Sequence, residues 1–177
     1  MSETDEELMR KVAVNHDQAA FVELMNRYQQ MLVNHFIRRG VYQEYEDLAQ
    51  DTFFKIYKAR RRFRSQESFR AWMFTIAQRV WIDHLRKSGR RNRREDAFRA
   101  EPTVDKFHPK HQQKHDADWG LAQLSDIHRD VVVHSVYDQL SHVEISKILQ
   151  IPEGTVKSRL HNGLRQLREI FEQEASS

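Results

Sequence analysis

From Asp17 to Ile37 apolar side chains recur every three or four positions (Ala20, Phe21, Leu24, Tyr28, Leu32, Phe36) among polar ones, the period of a helix with one buried face. Arg38-Arg39-Gly40 then supplies basic last-turn residues and a terminating glycine. A second helix is predicted to run to about Lys58 on Leu48, Phe53, Phe54, Ile56 and Tyr57. It is led by Glu44, Glu46, Asp47 and Asp51, acids that the positive end of a helix dipole favours. Arg60-Arg61-Arg62-Phe63-Arg64-Ser65 breaks the pattern. Ser65 or Ser68 can cap a third helix carrying Phe69, Trp72, Met73, Ile76, Val80, Ile82 and Leu85.

The periodicity stops near Lys87, so residues 1–87 read as one domain. Residues 88–118 hold Pro102, Pro109 and many arginines without an apolar period, and read as a flexible basic linker. In residues 119–177 a stripe of Leu121, Leu124, Ile127, Val131, Val132 and Val136 predicts one helix, followed by a short helix, a turn and a longer helix to about Glu174. The expected fold class is all-α, with two small helical domains on a tether.

Charge sharpens this division. The chain carries only +3 overall, but residues 60–94 hold 12 Lys and Arg against 2 acids, whereas residues 1–59 hold 7 against 10 and residues 119–177 hold 6 against 8. A basic block of that density is an electrostatic footprint for phosphate. The start, Met-Ser-Glu-Thr-Asp-Glu-Glu, lacks the basic and apolar regions of a signal peptide. With no cysteine, a cytoplasmic protein is expected, and thiol catalysis, disulfides and Cys-ligated zinc are excluded. His108, His111 and His115 fall in the linker without an acidic ligand pattern, so no metal, cofactor or catalytic group is expected.

Ser141-His142-Val143-Glu144 is a capping box that starts a helix with Ile145, Ile148 and Leu149 on its apolar face. The chain turns through Gln150-Ile151-Pro152-Glu153-Gly154, and a second helix begins near Thr155 with Val156, Leu160, Leu164 and Leu167 inward. That leaves Lys157, Ser158, Arg159, His161 and Asn162 outward. These are donors to phosphates and base edges, as a helix read into a major groove requires.

Residues 140–160, with Gly154-Thr155-Val156-Lys157-Ser158-Arg159, resemble region 4 of the extracytoplasmic-function (ECF) sigma factors. Asp47-Leu48-Ala49-Gln50-Asp51-Thr52-Phe53 resembles their region 2.2, and Phe69 to Ala77 with Ile82 to Lys87 resembles regions 2.3 and 2.4. Ser146 and Gln150 stand where the family usually has Ala and Gly, and Arg79 where it often has Asn.

The resemblance implies a non-catalytic RNA polymerase specificity subunit with core RNA polymerase and promoter DNA as partners, an anti-sigma protein as a further one, and no small-molecule substrate. Asp47, Leu48, Gln50, Asp51 and Phe54 would bind core polymerase. Arg61, Arg62, Phe63, Arg64, Arg79, Asp83 and Arg86, beside Arg60, would hold the minus-10 strand, the arginines on phosphates and Phe63 on an unpaired base. Thr155, Lys157, Ser158, Arg159, His161 and Asn162 would read the minus-35 element. Trp72 and Trp81 read as core, and the stripe of Arg79, Asp83 and Arg86 suits either nucleic acid or a solvated internal ion pair. A conventional regulator would need only the C-terminal motif, and a nuclease would need a catalytic constellation that is not found.

Overall fold

A computed structural model describes residues 3–64, 66–96 and 117–176. In the first domain α1 (Asp5–Asn15), α2 (Gln18–Arg38), α3 (Tyr45–Ala59) and α4 (Phe69–Asp96) surround one core, with a single 3-10 turn at Arg60–Arg62. Asp17 caps α2 by accepting from the Ala20 N–H at 3.0 Å, and Leu24, Tyr28, Leu32 and Phe36 face inward against Phe53, Ile56, Phe69, Met73, Phe74 and Val80. The expected apolar faces of the first three helices are thus largely buried, except that Phe54 on α3 and Ile82 and Leu85 towards the end of α4 are exposed, beyond the packed part of the core. Helix α4 continues to Asp96, past Lys87 where the sequence pattern ends.

Helix α1 was not anticipated. Thr4 and Glu7 form its capping box, and Leu8, Met9 and Val12 are buried. Its acids brace the domain: the Glu6 Oε1 accepts from the Phe69 N–H at 2.9 Å, satisfying a free donor at the start of α4. Asp5 pairs with Arg27 at 2.8 Å and accepts from the Tyr28 hydroxyl.

In the second domain the expected single stripe divides into α5 (Ala117–Gln123), α6 (Asp126–Val132) and one π-turn (Val133–Tyr137). The break is stabilised by the Arg129 guanidinium, which donates to the carbonyls of Leu121, Ala122 and Leu124 at the end of α5. Leu121, Leu124, Val131 and Val132 are buried, but Ile127 and Val136 face solvent because each bend rotates the stripe. Helices α7 (His142–Leu149) and α8 (Glu153–Ala175) follow. Val156 is buried, whereas Leu164 is exposed. Gly163 takes the inner position instead: a Cβ there would lie 2.8 Å from Val132 Cγ2, so α6 and α8 approach too closely for a larger residue.

The domains meet. Helix α4 packs on α7, and α2 packs on α5 and the π-turn. The first core continues into Val131, Leu140, Ile145, Ile148 and Val156. A second cluster of Leu121, Leu124, Val132 and Val133 lies against Leu160, Leu167 and Ile170. The linker histidines His108, His111 and His115 lie outside the described residues.

Candidate functional site

Three surfaces collect the sequence-selected residues. On α3, the buried positions Ala49, Thr52, Phe53 and Ile56 leave Asp47, Gln50 and Phe54 exposed and Leu48 and Asp51 half-buried. Phe54 is 56% exposed, with the Lys58 ammonium 4.2 Å from its ring centre. An aromatic ring displayed among acids on a helix otherwise anchored by its opposite face is available for a partner.

The second surface begins at the 3-10 turn. Arg61, Arg62 and Arg64 are exposed. Arg60 differs: it donates to the Tyr57 carbonyl at 2.8 Å, stacks over the Tyr57 ring at 4.3 Å and reaches His16 Nδ1 at 3.0 Å, so it joins α3 to α1. Phe63 is half-buried, its ring 5.2 Å from Trp72 and 6.0 Å from Phe69. Along α4, Arg79 and Arg86 are exposed. Asp83 lies 3.5 Å from Lys55 and 3.8 Å from Arg86, so the stripe includes an internal ion pair. Trp72 and Trp81 pack against the core, as expected.

The third surface is a helix-turn-helix. Ser141 accepts from the Glu144 N–H while Glu144 accepts from the Ser141 N–H at 2.8 Å, the expected box. Gln150 adopts the left-handed conformation at φ 55°, which costs a non-glycine roughly 1 kcal/mol. Ser146 accounts for its tolerance: its hydroxyl donates to the Ile151 carbonyl at 2.6 Å and its own carbonyl accepts from Gln150, closing the turn. The two departures from the family pattern in this motif, Ser146 and Gln150, therefore sit in one hydrogen-bonded unit, apart from the third at Arg79. On α8, Lys157, Ser158 and His161 are exposed and Thr155, Arg159 and Asn162 half-buried.

The domain seam was not read from the sequence. Arg39, buried, makes a bidentate pair with Asp130 at 2.9 and 2.8 Å, donates to Gln78 at 2.7 Å and covers the Trp81 ring at 4.8 Å. Arg38 pairs with Asp118 at 3.0 Å and covers the Tyr137 ring. Arg70 donates to Gln139 at 3.2 Å. Beside Arg39 lie His35, His134 and Asp138. Burial pushes the His134 imidazole down to about 4. Burial also works to raise the Asp138 carboxyl, but the adjacent histidines outweigh it and hold that carboxyl below its ordinary range. Basic residues at a helix end read locally as dipole partners, and nothing in the chain's periodicity marks acids 80 and 91 residues away as their counterparts.

Two family models match: Sigma-70 region 2 over residues 24–91 and Sigma-70, region 4 over residues 120–169. The chain is 30% identical to the ECF RNA polymerase sigma factor RpoE of Cereibacter sphaeroides, across 92% of each chain. It is 31% identical to the ECF RNA polymerase sigma factor SigW of Bacillus subtilis, across 86% of this chain and 89% of that one. Two solved structures share the fold at a TM-score of 0.71. One is CnrH in complex with the cytosolic domain of CnrY, at 21% identity over 97% of this chain and 99% of that one. The other is the sigma factor RpoE of Bartonella quintana in complex with the anti-sigma factor NepR, at 24% identity over 86% and 96%. No helix among the described residues is long and apolar enough to cross a membrane. With region 2 and region 4 matched in order and full-length relatives at this identity, the chain belongs to the ECF sigma factors, non-catalytic subunits that bind core RNA polymerase and direct promoter recognition at initiation.

Proposed function

We propose that the three surfaces divide the sigma-factor task among them, with Asp47, Leu48, Gln50, Asp51 and Phe54 docking on core polymerase. Arg61, Arg62, Phe63, Arg64, Arg79, Asp83 and Arg86 engage the minus-10 element, and Thr155, Lys157, Ser158, Arg159, His161 and Asn162 engage the minus-35 element. The observation that carries this reading is the exposure of Phe54 on a helix whose neighbouring Phe53 and Ile56 are buried. An exposed aromatic that follows Asp47 and Asp51 at helical spacing, with only the flexible Lys58 side chain over its ring, suits a basic, partly apolar partner. Phe63 serves the minus-10 strand from its aromatic cluster, as a half-buried wall against which an unpaired base stacks, while Arg61, Arg62 and Arg64 neutralise phosphates. The protein acts in the cytoplasm and is held inactive by an anti-sigma protein that grips both domains, as the complexes of CnrH and of the Bartonella RpoE motivate.

Run-off transcription with sigma-free core polymerase on a pool of promoter fragments tests the assignment. Specific transcripts should appear only with this protein, and Phe54→Ala should weaken its binding to core polymerase while its affinity for duplex DNA is unchanged. Equal polymerase binding by the variant would remove α3 from the interface.

A further inference from the structure

The seam between the domains contains one polar cluster that neither the polymerase nor the promoter surfaces use. His35 comes from α2, and His134 and Asp138 from the π-turn and the residue after it. π-turns of this kind are frequent at functional positions. The side chains are 0%, 0% and 2% exposed. His35 Nδ1 donates to Asp138 Oδ2 at 2.7 Å. His134 Nδ1 stands 3.0 Å from the same oxygen, but off the line of a hydrogen bond, and neither ring nitrogen of His134 has a hydrogen-bond partner among the described residues. A fully buried ring whose Nε2 is unpartnered, and whose Nδ1 is held only by an off-line contact to Asp138, carries a desolvation cost that a leucine would avoid.

One ligating atom from each of the three residues falls within 4.8 Å of the others. A tetrahedral ion bound at about 2.0–2.1 Å spaces its ligand atoms about 3.3 Å apart, so a pair at the 4.8 Å limit closes by about 1.5 Å, roughly 0.7 Å from each side chain, to seat one. Two imidazoles and a carboxylate are the donors that zinc takes. The charged neighbour is Arg39, whose Nη1 lies 3.4 Å from His35 Nε2. Its charge is matched by Asp130, and that long contact is released when Nδ1 takes the metal and Nε2 the proton.

We propose that His35, His134 and Asp138 form a site for a divalent ion of the zinc class, completed by water, that ties the region 2 domain to the region 4 domain. Its ligands come from both domains, so the ion enters when they part and is enclosed when they close. By linkage, bound metal favours the closed arrangement over any arrangement in which the domains separate.

The test uses the full chain after chelator treatment, titrated with Zn²⁺ by calorimetry and with Co²⁺ by visible absorption. One equivalent should bind, with the Co²⁺ spectrum of a tetrahedral site. His134→Leu and Asp138→Asn should each weaken binding by about tenfold or more, while a variant with His108, His111 and His115 all replaced by Ala retains it. His134→Leu removes only the off-line contact to Asp138, which keeps its hydrogen bond from His35, and should fold, as circular dichroism would check; should it not, the near-isosteric Asp138→Asn decides. Wild-type affinity in the variant that folds, loss of binding in the linker variant, or no saturable binding overturns the site. Zn²⁺ should also lower the association of the wild-type protein, but not of His134→Leu, with core polymerase. Equal association with and without Zn²⁺ overturns the tie between domains.

Discussion

Replacing Asp130 by alanine removes the carboxylate that holds both forks of the buried Arg39 guanidinium across the domain seam. Stripping one partner from a buried ion pair costs about 3–5 kcal/mol. The Asp130 side chain is 23% exposed, and Arg39 keeps Gln78 and Trp81, which places the expected loss at the lower end, about 3 kcal/mol. Arg39 regains water if the domains part, so the loss falls on the closed arrangement rather than on either domain. At about 1.4 kcal/mol per factor of ten, the open population should rise on the order of a hundredfold. Opening bears on function because minus-10 and minus-35 elements lie about 85 Å apart at 3.4 Å per base pair. Domains of this size in contact have centres only about 30 Å apart. Asp130→Ala should therefore enlarge the radius of gyration in small-angle scattering and raise transcription at limiting protein. The double variant Arg39→Leu with Asp130→Ala, which leaves no orphaned charge, should recover much of the closure. An unchanged radius together with an unchanged melting temperature would refute the argument, and a double variant as open as the single one would show that the charge is not the cause.

On α8, Lys157→Ala should weaken promoter binding uniformly across sequences and reduce the slope of log affinity against log salt by about 1, read by fluorescence anisotropy over a salt series. An unchanged slope would take Lys157 off the phosphates. Gly163→Ala should lower the melting temperature, because its Cβ would meet Val132 at 2.8 Å and the His128 backbone oxygen at 3.5 Å. Overpacking at about 1–3 kcal/mol exceeds the roughly 1 kcal/mol of helix propensity gained. Tyr28 is raised from 10.0 to about 12, by burial first and then by its hydrogen bond to Asp5. The folded state holds that proton more tightly than the unfolded chain. The contribution is therefore complete below pH 10 and is lost as pH rises through about 12. Tyr28→Phe should melt with a shallower alkaline decline over that window, and identical declines would place the loss elsewhere.

Much of the molecule is legible without coordinates, because its signals are local. The inward faces of α2, α3 and the first part of α4 follow from helical spacing, though Ile82 and Leu85 fit that spacing and are exposed, and the helix-turn-helix follows from a capping box, a turn and a basic outer face close together in the chain. Helix α1 was also readable: Thr4-x-x-Glu7 ahead of Leu8, Met9 and Val12 is the same signature as Ser141-x-x-Glu144. What locality misassigned, packing decided. Ile127, Val136 and Leu164 suit an apolar stripe, yet they are exposed. The cause is a break stabilised by Arg129, a π-turn and the close approach of α6 to α8 at Gly163. Sequence likewise marked Arg60 for phosphate, where the fold turns it onto Tyr57 and His16.

The seam is the part that only tertiary structure could determine. Arg39 and Asp130, and His35 and Asp138, are partners across an intervening linker. A periodicity or motif reports what a residue does within a few turns of its own backbone. Whether a basic or titratable group is solvated or buried against a distant acid depends on how two separately formed cores meet, and that is set by the shapes of surfaces rather than by any spacing along the chain.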